Sequence, residues 1–169
     1  MLEQLALALE SGELSGWSGL AFRHVTPSFD PLSTRGAELH GGRWNAPGTP
    51  ALYLALSPET ARSELDRLVA LRAQSLDELL PRNLATVRVS LDRVVDLRSE
   101  QFIRELSGER DGLSASTCRS AGEMAASAGL GGILAPSATG VGLVLVAFPG
   151  NFGASDNLGL VDLCDSGWS

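Results

Sequence analysis

Arg23, Arg43, Tyr53, Glu64 and Ser137 are the side chains of this sequence whose types and settings suit chemistry. Arginine carries a planar fork of donors that grips a diphosphate through paired hydrogen bonds. Arg43 directly follows Gly41-Gly42, and glycines let a backbone approach a ligand closely. Trp44 and Tyr53 offer faces on which a planar ring can stack. A carboxylate such as Glu64 can hydrogen-bond ribose hydroxyls and support an oxocarbenium-like centre. Together these types suit cleavage of a nucleotide at its glycosidic bond. Taken singly, each has an ordinary structural reading. An arginine after Gly-Gly is commonly a loop residue, and a tyrosine in an aliphatic strand is commonly core. A carboxylate at the edge of a helix stripe commonly pairs with an arginine, and a serine after a proline commonly caps a turn. His24 and His40 also read first as structural.

Other chemistries lose support. No Gly-x-Gly-x-x-Gly follows a strand, and no Gly-rich loop ends in Gly-Lys-Ser/Thr, so neither a dinucleotide-binding turn nor a P-loop is present. No closely spaced set of metal ligands occurs. Cys118 and Cys164 are the two cysteines, and with no Cys-x-x-Cys they read as separate thiols. The net charge is -7 and no basic cluster appears, which argues against direct nucleic-acid binding. All 13 basic residues are arginine, and a few placed arginines can still hold phosphate locally. The N-terminus lacks a basic segment followed by an apolar run and a cleavage site, and no apolar run is long enough for a bilayer. The expectation is a soluble, cytoplasmic protein that does not engage membranes.

These residues need a scaffold. The 169 residues, 44% hydrophobic and 20% charged, suffice for one domain with a real core. Leu2, Leu5, Ala8 and Leu9 repeat at helical spacing up to Gly12, which predicts a helix over 2–10. Leu20 to Val25 reads as a first strand carrying Arg23 and His24. Ser28 to Pro50 reads as a long connection with little periodicity, and long loops inside small domains tend to be functional. Ala51 to Leu56 predicts a central strand carrying Tyr53. Ser57-Pro58 then predicts an N-cap and first helical position, with the helix running to Arg72. Its stripe is Ala61, Leu65, Leu68 and Val69, which sets Glu64 at the edge of the buried face. A further helical turn is expected over Ser75 to Leu80. Thr86 to Leu91 alternates as a strand and Val94 to Leu97 reads as a short second one. Ala121 to Ala128 predicts a helix ending at Gly129. Gly132 to Ser137 leads into a Gly-rich loop, Leu143 to Phe148 predicts a central strand, and Leu160 to Leu163 an edge strand. The order fits α+β better than repeated βαβ units.

The chain resembles the RES domain, a family named for its arginine, glutamate and serine. The resemblance rests on Phe22-Arg23-His24-Val25, on Asp30 to Ala37, and on Gly41-Gly42-Arg43-Trp44-Asn45-Ala46-Pro47-Gly48. It continues through Ala51-Leu52-Tyr53-Leu54-Ala55, Pro58-Glu59-Thr60-Ala61 with Glu64, and Gly131 to Ala138, so that residues 20–150 are covered. The run from Gly41 with the strand tyrosine and helix glutamate is the specific part. The serine segment is weaker.

The resemblance implies a single domain over 1–169 with an α+β fold similar to ADP-ribosyltransferases, central mixed or antiparallel strands and peripheral helices. It implies a toxin of a two-gene toxin-antitoxin module that cleaves NAD+ at the nicotinamide-ribose bond. Phosphorolysis, giving nicotinamide and ADP-ribose 1-phosphate, and hydrolysis are the leading forms. Transfer of ADP-ribose to a protein is an alternative, and a non-catalytic regulatory module is another. NAD+ is then a substrate and inorganic phosphate a co-substrate, with no prosthetic group. The expected partner is a helix-turn-helix antitoxin that blocks the site, and self-association through the N-terminal helix or the tail is a further expectation. By the same resemblance Arg23 and Arg43 hold phosphates, Tyr53 shapes the nicotinamide-ribose pocket, Glu64 contacts the ribose, and Ser137 positions the nicotinamide end. Two positions depart from the family. His24 stands where many members have an aromatic residue that could stack, and Thr139 follows Ala138 where many have arginine.

Overall fold

Strict alternation builds the longest strand. In Asn83–Asp96 (β3), Val87, Val89 and Leu91 are buried on one face while Arg88 is exposed on the other. The computed structural model describes residues 14–99 and 114–169, together with Glu3 and Ala6. In chain order the remaining elements are β1 (Leu14–Val25), α1 (Arg35–His40), β2 (Leu52–Ala55), α2 (Pro58–Arg72) and α3 (Leu76–Leu79), which precede β3. After it come α4 (Ala115–Ser127), β4 (Gly132–Pro136), β5 (Leu143–Ala147), a 3-10 turn at Pro149–Asn151, and β6 (Asn157–Asp165).

The strands form a mixed sheet in the order β1-β2-β5-β4-β3-β6, with β1 also paired to β3. The order therefore closes on itself. β1 runs antiparallel to β3 from Leu14 opposite Val95 to Val25 opposite Asn83. β1 meets β2 at the single register pair of Phe22 with Ala55. β4 joins the far end of β3 in parallel, and the other pairings are antiparallel.

Two hydrophobic clusters follow from the alternation. Ala21, Leu54, Val87, Leu134 and Leu145, one from each strand of the closed circuit, belong to one cluster. The opposite faces of β4 and β5, with Ile133, Ala135, Val144 and Val146, belong to the second, under Cys118, Ala121 and Ala125 of α4. Trp44 enters the second cluster from the loop before β2. Gly122 permits that contact: a Cβ there would collide with the backbone carbonyl of Trp44.

The helices start where the sequence provides caps. The Ser57 hydroxyl accepts the Thr60 N–H at 3.1 Å, with Pro58 next in line, and Ser114 does the same for Thr117 at 3.1 Å. α2 buries Thr60, Ala61 and Leu65 and packs on β1 and β2.

Several expectations shift. β1 begins at Leu14, because its polar, exposed first half is stabilised by pairing with β3 rather than by burial. The stretch 28–50 includes the short helix α1. The two strands expected between Thr86 and Leu97 are one, since Asp92 and Arg93 interrupt the hydrophobic pattern without ending the pairing. α4 starts at Ala115, its first turn capped by Ser114. The helix expected over 2–10 lies outside the described residues apart from Glu3 and Ala6. No helix among the described residues is long and apolar enough to cross a membrane.

Candidate active site

Glu64 and Ser137, 73 positions apart in the chain, meet: the Ser137 hydroxyl donates to Glu64 Oε1 at 2.6 Å. Two local features bring them together. α2 places Glu64 at the half-buried edge of its packing face. Ser137 follows β4, where its N–H donates to the Gly142 carbonyl at 3.0 Å and its carbonyl accepts from Gly140 at 3.1 Å, which bends the chain tightly. The serine is 5% exposed. Its Oγ also lies 2.7 Å from Thr139 Oγ1, which lies 2.9 Å from Ser63 Oγ on α2. Thr139 thus provides hydroxyl contacts to both Ser137 and Ser63.

The loop of Gly41 to Asn45 is built around the Tyr53 hydroxyl. That hydroxyl accepts the Trp44 N–H at 2.8 Å and donates to Asn45 Oδ1 at 2.7 Å. Gly42 is needed here, because a Cβ would fall on the phenol oxygen. Asn45, fully buried, turns its amide nitrogen to the carbonyls of Ala37, Ala46 and Thr49 at 2.9, 3.1 and 3.0 Å. Burial pushes the Tyr53 phenol up to about 12, against the opposing hydrogen bond from Trp44 and the charge of Arg119. Arg119 of α4 donates to the Gly42 carbonyl at 3.2 Å. Arg43 lies against α4, where its guanidinium hydrogen-bonds the Cys118 thiol; burial raises that thiol and Arg43 opposes the rise.

Trp44 does not serve as a stacking surface. Its side chain is 2% exposed and packed in the core under α4, so it has no free face to offer. The residue that matters more in this run is Asn45, whose amide can bond several carbonyls at once. An asparagine inside a glycine-rich turn was the available sign of that role.

Arg23 reaches back over the following loop. Its Nη1 donates to the carbonyls of Pro31 and Ser33, each at 2.9 Å. Burial lowers its pKa and Asp30 opposes the change. His24 is held neutral, with a pKa lowered to about 4, first by burial and then by Arg82 and Arg23. Its ring meets Trp168 edge-on, with centroids 6.2 Å apart, and Arg62 lies 5.6 Å over the same indole. Trp168 belongs to a tail that sequence reasoning did not connect with this region.

The sequence-predicted residues thus fall into three local groups: Glu64 with Ser137, Tyr53 with the loop of Arg43 and Trp44, and Arg23 with His24. A cavity of about 250 Å³ lies between Gly48, Thr49, Ala126 and Phe148 and includes none of them. Chemically, the arrangement supplies one oriented carboxylate, an arginine on β1 and another on the loop before β2, and a single phenol fixed to the backbone.

The RES domain family model matches residues 20–159. The NAD(+) phosphorylases MbcT of Mycobacterium tuberculosis and Mycobacterium bovis are 33% identical over 138 residues, covering 78% of this chain and 74% of theirs. The crystal structure of the M. tuberculosis MbcT-MbcA toxin-antitoxin complex contains a chain that superposes with a TM-score of 0.81 at 30% identity. That match covers 98% of this chain and 93% of the other.

Proposed function

The chain belongs to the RES domain family, and from that premise we propose that it is a toxin enzyme that cleaves NAD+ at the nicotinamide-ribose bond. The observation that carries the reading is the contact of Glu64 with Ser137, which orients a carboxylate at the edge of α2. The bond from the ribose anomeric carbon to the nicotinamide nitrogen breaks, and its electron pair leaves with neutral nicotinamide. The ribose passes through a cationic transition state that a nearby carboxylate stabilises electrostatically. Glu64 suits that task because Oε1 is held by Ser137 and Oε2 has no other hydrogen bond among the described residues. Arg43 and Arg23 are the residues we assign to the diphosphate. Tyr53 holds the Arg43 loop through the backbone and walls the site with its ring.

Inorganic phosphate is the acceptor we favour, since the MbcT relatives are named as NAD(+) phosphorylases. Attack by a phosphate oxygen gives ADP-ribose 1-phosphate. A helix-turn-helix antitoxin is the partner we infer; the solved relative is a toxin-antitoxin complex. NAD+ as substrate fits action in the cytoplasm.

The test is incubation of the purified protein with NAD+, with and without phosphate, followed by mass identification of the products. Nicotinamide and ADP-ribose 1-phosphate are expected with phosphate present. ADP-ribose alone in both arms would make it a glycohydrolase, and labelled ADP-ribose found on protein would make it a transferase. Intact NAD+ in both arms would overturn the reading.

A further inference from the structure

The Glu64-Ser137 contact is the end of a longer chain of hydroxyls. Ser137 Oγ donates to Glu64 Oε1 at 2.6 Å, and Ser137 Oγ lies 2.7 Å from Thr139 Oγ1. Thr139 Oγ1 lies 2.9 Å from Ser63 Oγ, which also reaches the Thr60 carbonyl at 2.8 Å. Each hydroxyl has one proton and two lone pairs, so donor directions can be assigned by counting.

With Glu64 ionised, the Ser137 proton must point at the carboxylate. The Ser137 lone pairs then accept the Thr139 O–H and the Thr139 N–H, the latter at 3.1 Å. With its proton so directed, Thr139 accepts the Val141 N–H at 3.1 Å and the Ser63 O–H, and both its lone pairs are filled. Ser63 is left to share one proton between Thr139 and the Thr60 carbonyl. The Thr139 and Ser137 hydroxyls thus both point toward Glu64, with Ser63 set between Thr139 and the Thr60 carbonyl behind them.

We propose that Thr139 and Ser63 are positioning residues for Glu64, acting through Ser137 to aim a file of hydroxyl dipoles at its carboxylate. The proposal rests on the reading of Glu64 as the group that supports the cationic ribose. Neither residue touches the substrate in this assignment.

The experiment is a set of variants read by kcat, by KM and by NMR of the Ser137 hydroxyl proton in unliganded protein. Thr139→Val keeps the shape and loses the relay; kcat is expected to fall by up to about tenfold, the scale of one neutral hydrogen bond, with KM nearly unchanged. Thr139→Ser is expected to recover most of the lost turnover. Ser63→Ala is expected to lower kcat about threefold alone and to have no further effect in the Thr139→Val background, since coupled residues are not additive. The Ser137 hydroxyl resonance is expected to be observable in the parent protein and in Thr139→Ser, and to shift in Thr139→Val, where Ser137 keeps its bond to Glu64 but accepts no Thr139 hydroxyl. Equal kcat in the parent and Thr139→Val, or additive effects of Ser63→Ala, would overturn the proposal. So would a hydroxyl signal whose position is unchanged in Thr139→Val. A parent protein inert toward NAD+ but with the expected hydroxyl signals would overturn the enzymatic reading and leave the relay intact.

Discussion

The Tyr53 hydroxyl donates to Asn45 Oδ1 at 2.7 Å, so a strand residue and a buried loop amide secure the turn that carries Arg43. The same oxygen receives the Trp44 N–H at 2.8 Å. The phenol is thus a fastener for the backbone of the loop.

Tyr53→Phe removes both bonds and leaves the Trp44 N–H and the Asn45 carbonyl oxygen buried without partners. A loss of about 1–3 kcal/mol in stability is expected from chemical denaturation. KM for NAD+ is expected to rise as the Arg43 loop loosens. Unchanged stability and KM together would show that the loop holds itself.

Tyr53 is also the sole tyrosine, so absorbance titration reports it without overlap. Its ionisation is expected near pH 12, because burial disfavours the phenolate. The raised folded value means that the protonated phenol stabilises the fold below the unfolded value near 10. That contribution is lost as pH rises through the folded value. A titration midpoint at 10 would contradict the burial of this ring.

Glu64→Gln keeps an oxygen for the Ser137 hydroxyl and removes only the charge. Turnover of NAD+ is expected to drop by roughly 100-fold or more, the usual scale for losing a group aimed at transition-state charge. Near-UV circular dichroism is expected to stay the same. Full activity in this variant would remove Glu64 from the mechanism.

His24 gives a pH signature of the opposite sign from a salt-bridged histidine. Its folded pKa of about 4 lies below the ordinary histidine value of 6.5, so the unfolded chain takes up the proton first. The contribution is fully present above 6.5 and is lost as pH falls toward 4, by up to about 3 kcal/mol. His24→Gln is expected to flatten the difference between urea denaturation at pH 7 and at pH 4.5. Parallel losses in both proteins would place the acid sensitivity elsewhere.

Two glycine substitutions are expected to move stability in opposite directions. Gly122→Ala gains helix propensity but drives a Cβ into the Trp44 carbonyl, so a net loss of about 2 kcal/mol or more is expected. Gly36→Ala, in the exposed first turn of α1 with nothing within 4 Å of the new atom, is expected to add about 0.5–1 kcal/mol. Thermal melting of the two variants separates packing from propensity directly.

Patterns with a short repeat were legible in the sequence. The alternation of Val87, Val89 and Leu91 and the Ser57-Pro58 start of α2 appear where they were read. So does the half-buried setting of Glu64. Contacts between distant segments were not. No local rule tells that Ser137 reaches Glu64 or that Trp168 reaches His24, because these depend on how strands pair across the whole chain. Trp44 misled for a related reason. An aromatic ring in a glycine-rich loop suits a ligand or a core equally well, and only the packing of α4 over it decided for the core.

The single register pair of Phe22 with Ala55 closes the circuit of strands. It is a seam held by one stitch, while β1 and β3 are joined along most of their length. α2 lies across that seam, packed on both β1 and β2, and carries Glu64. The helix is therefore a splint as well as a mount. Any strain that parts the seam must tilt the splint, and the carboxylate tilts with it. The mechanical tolerance of the ring and the aim of its acid are one quantity, set by how firmly Thr60, Ala61 and Leu65 grip the strands beneath them.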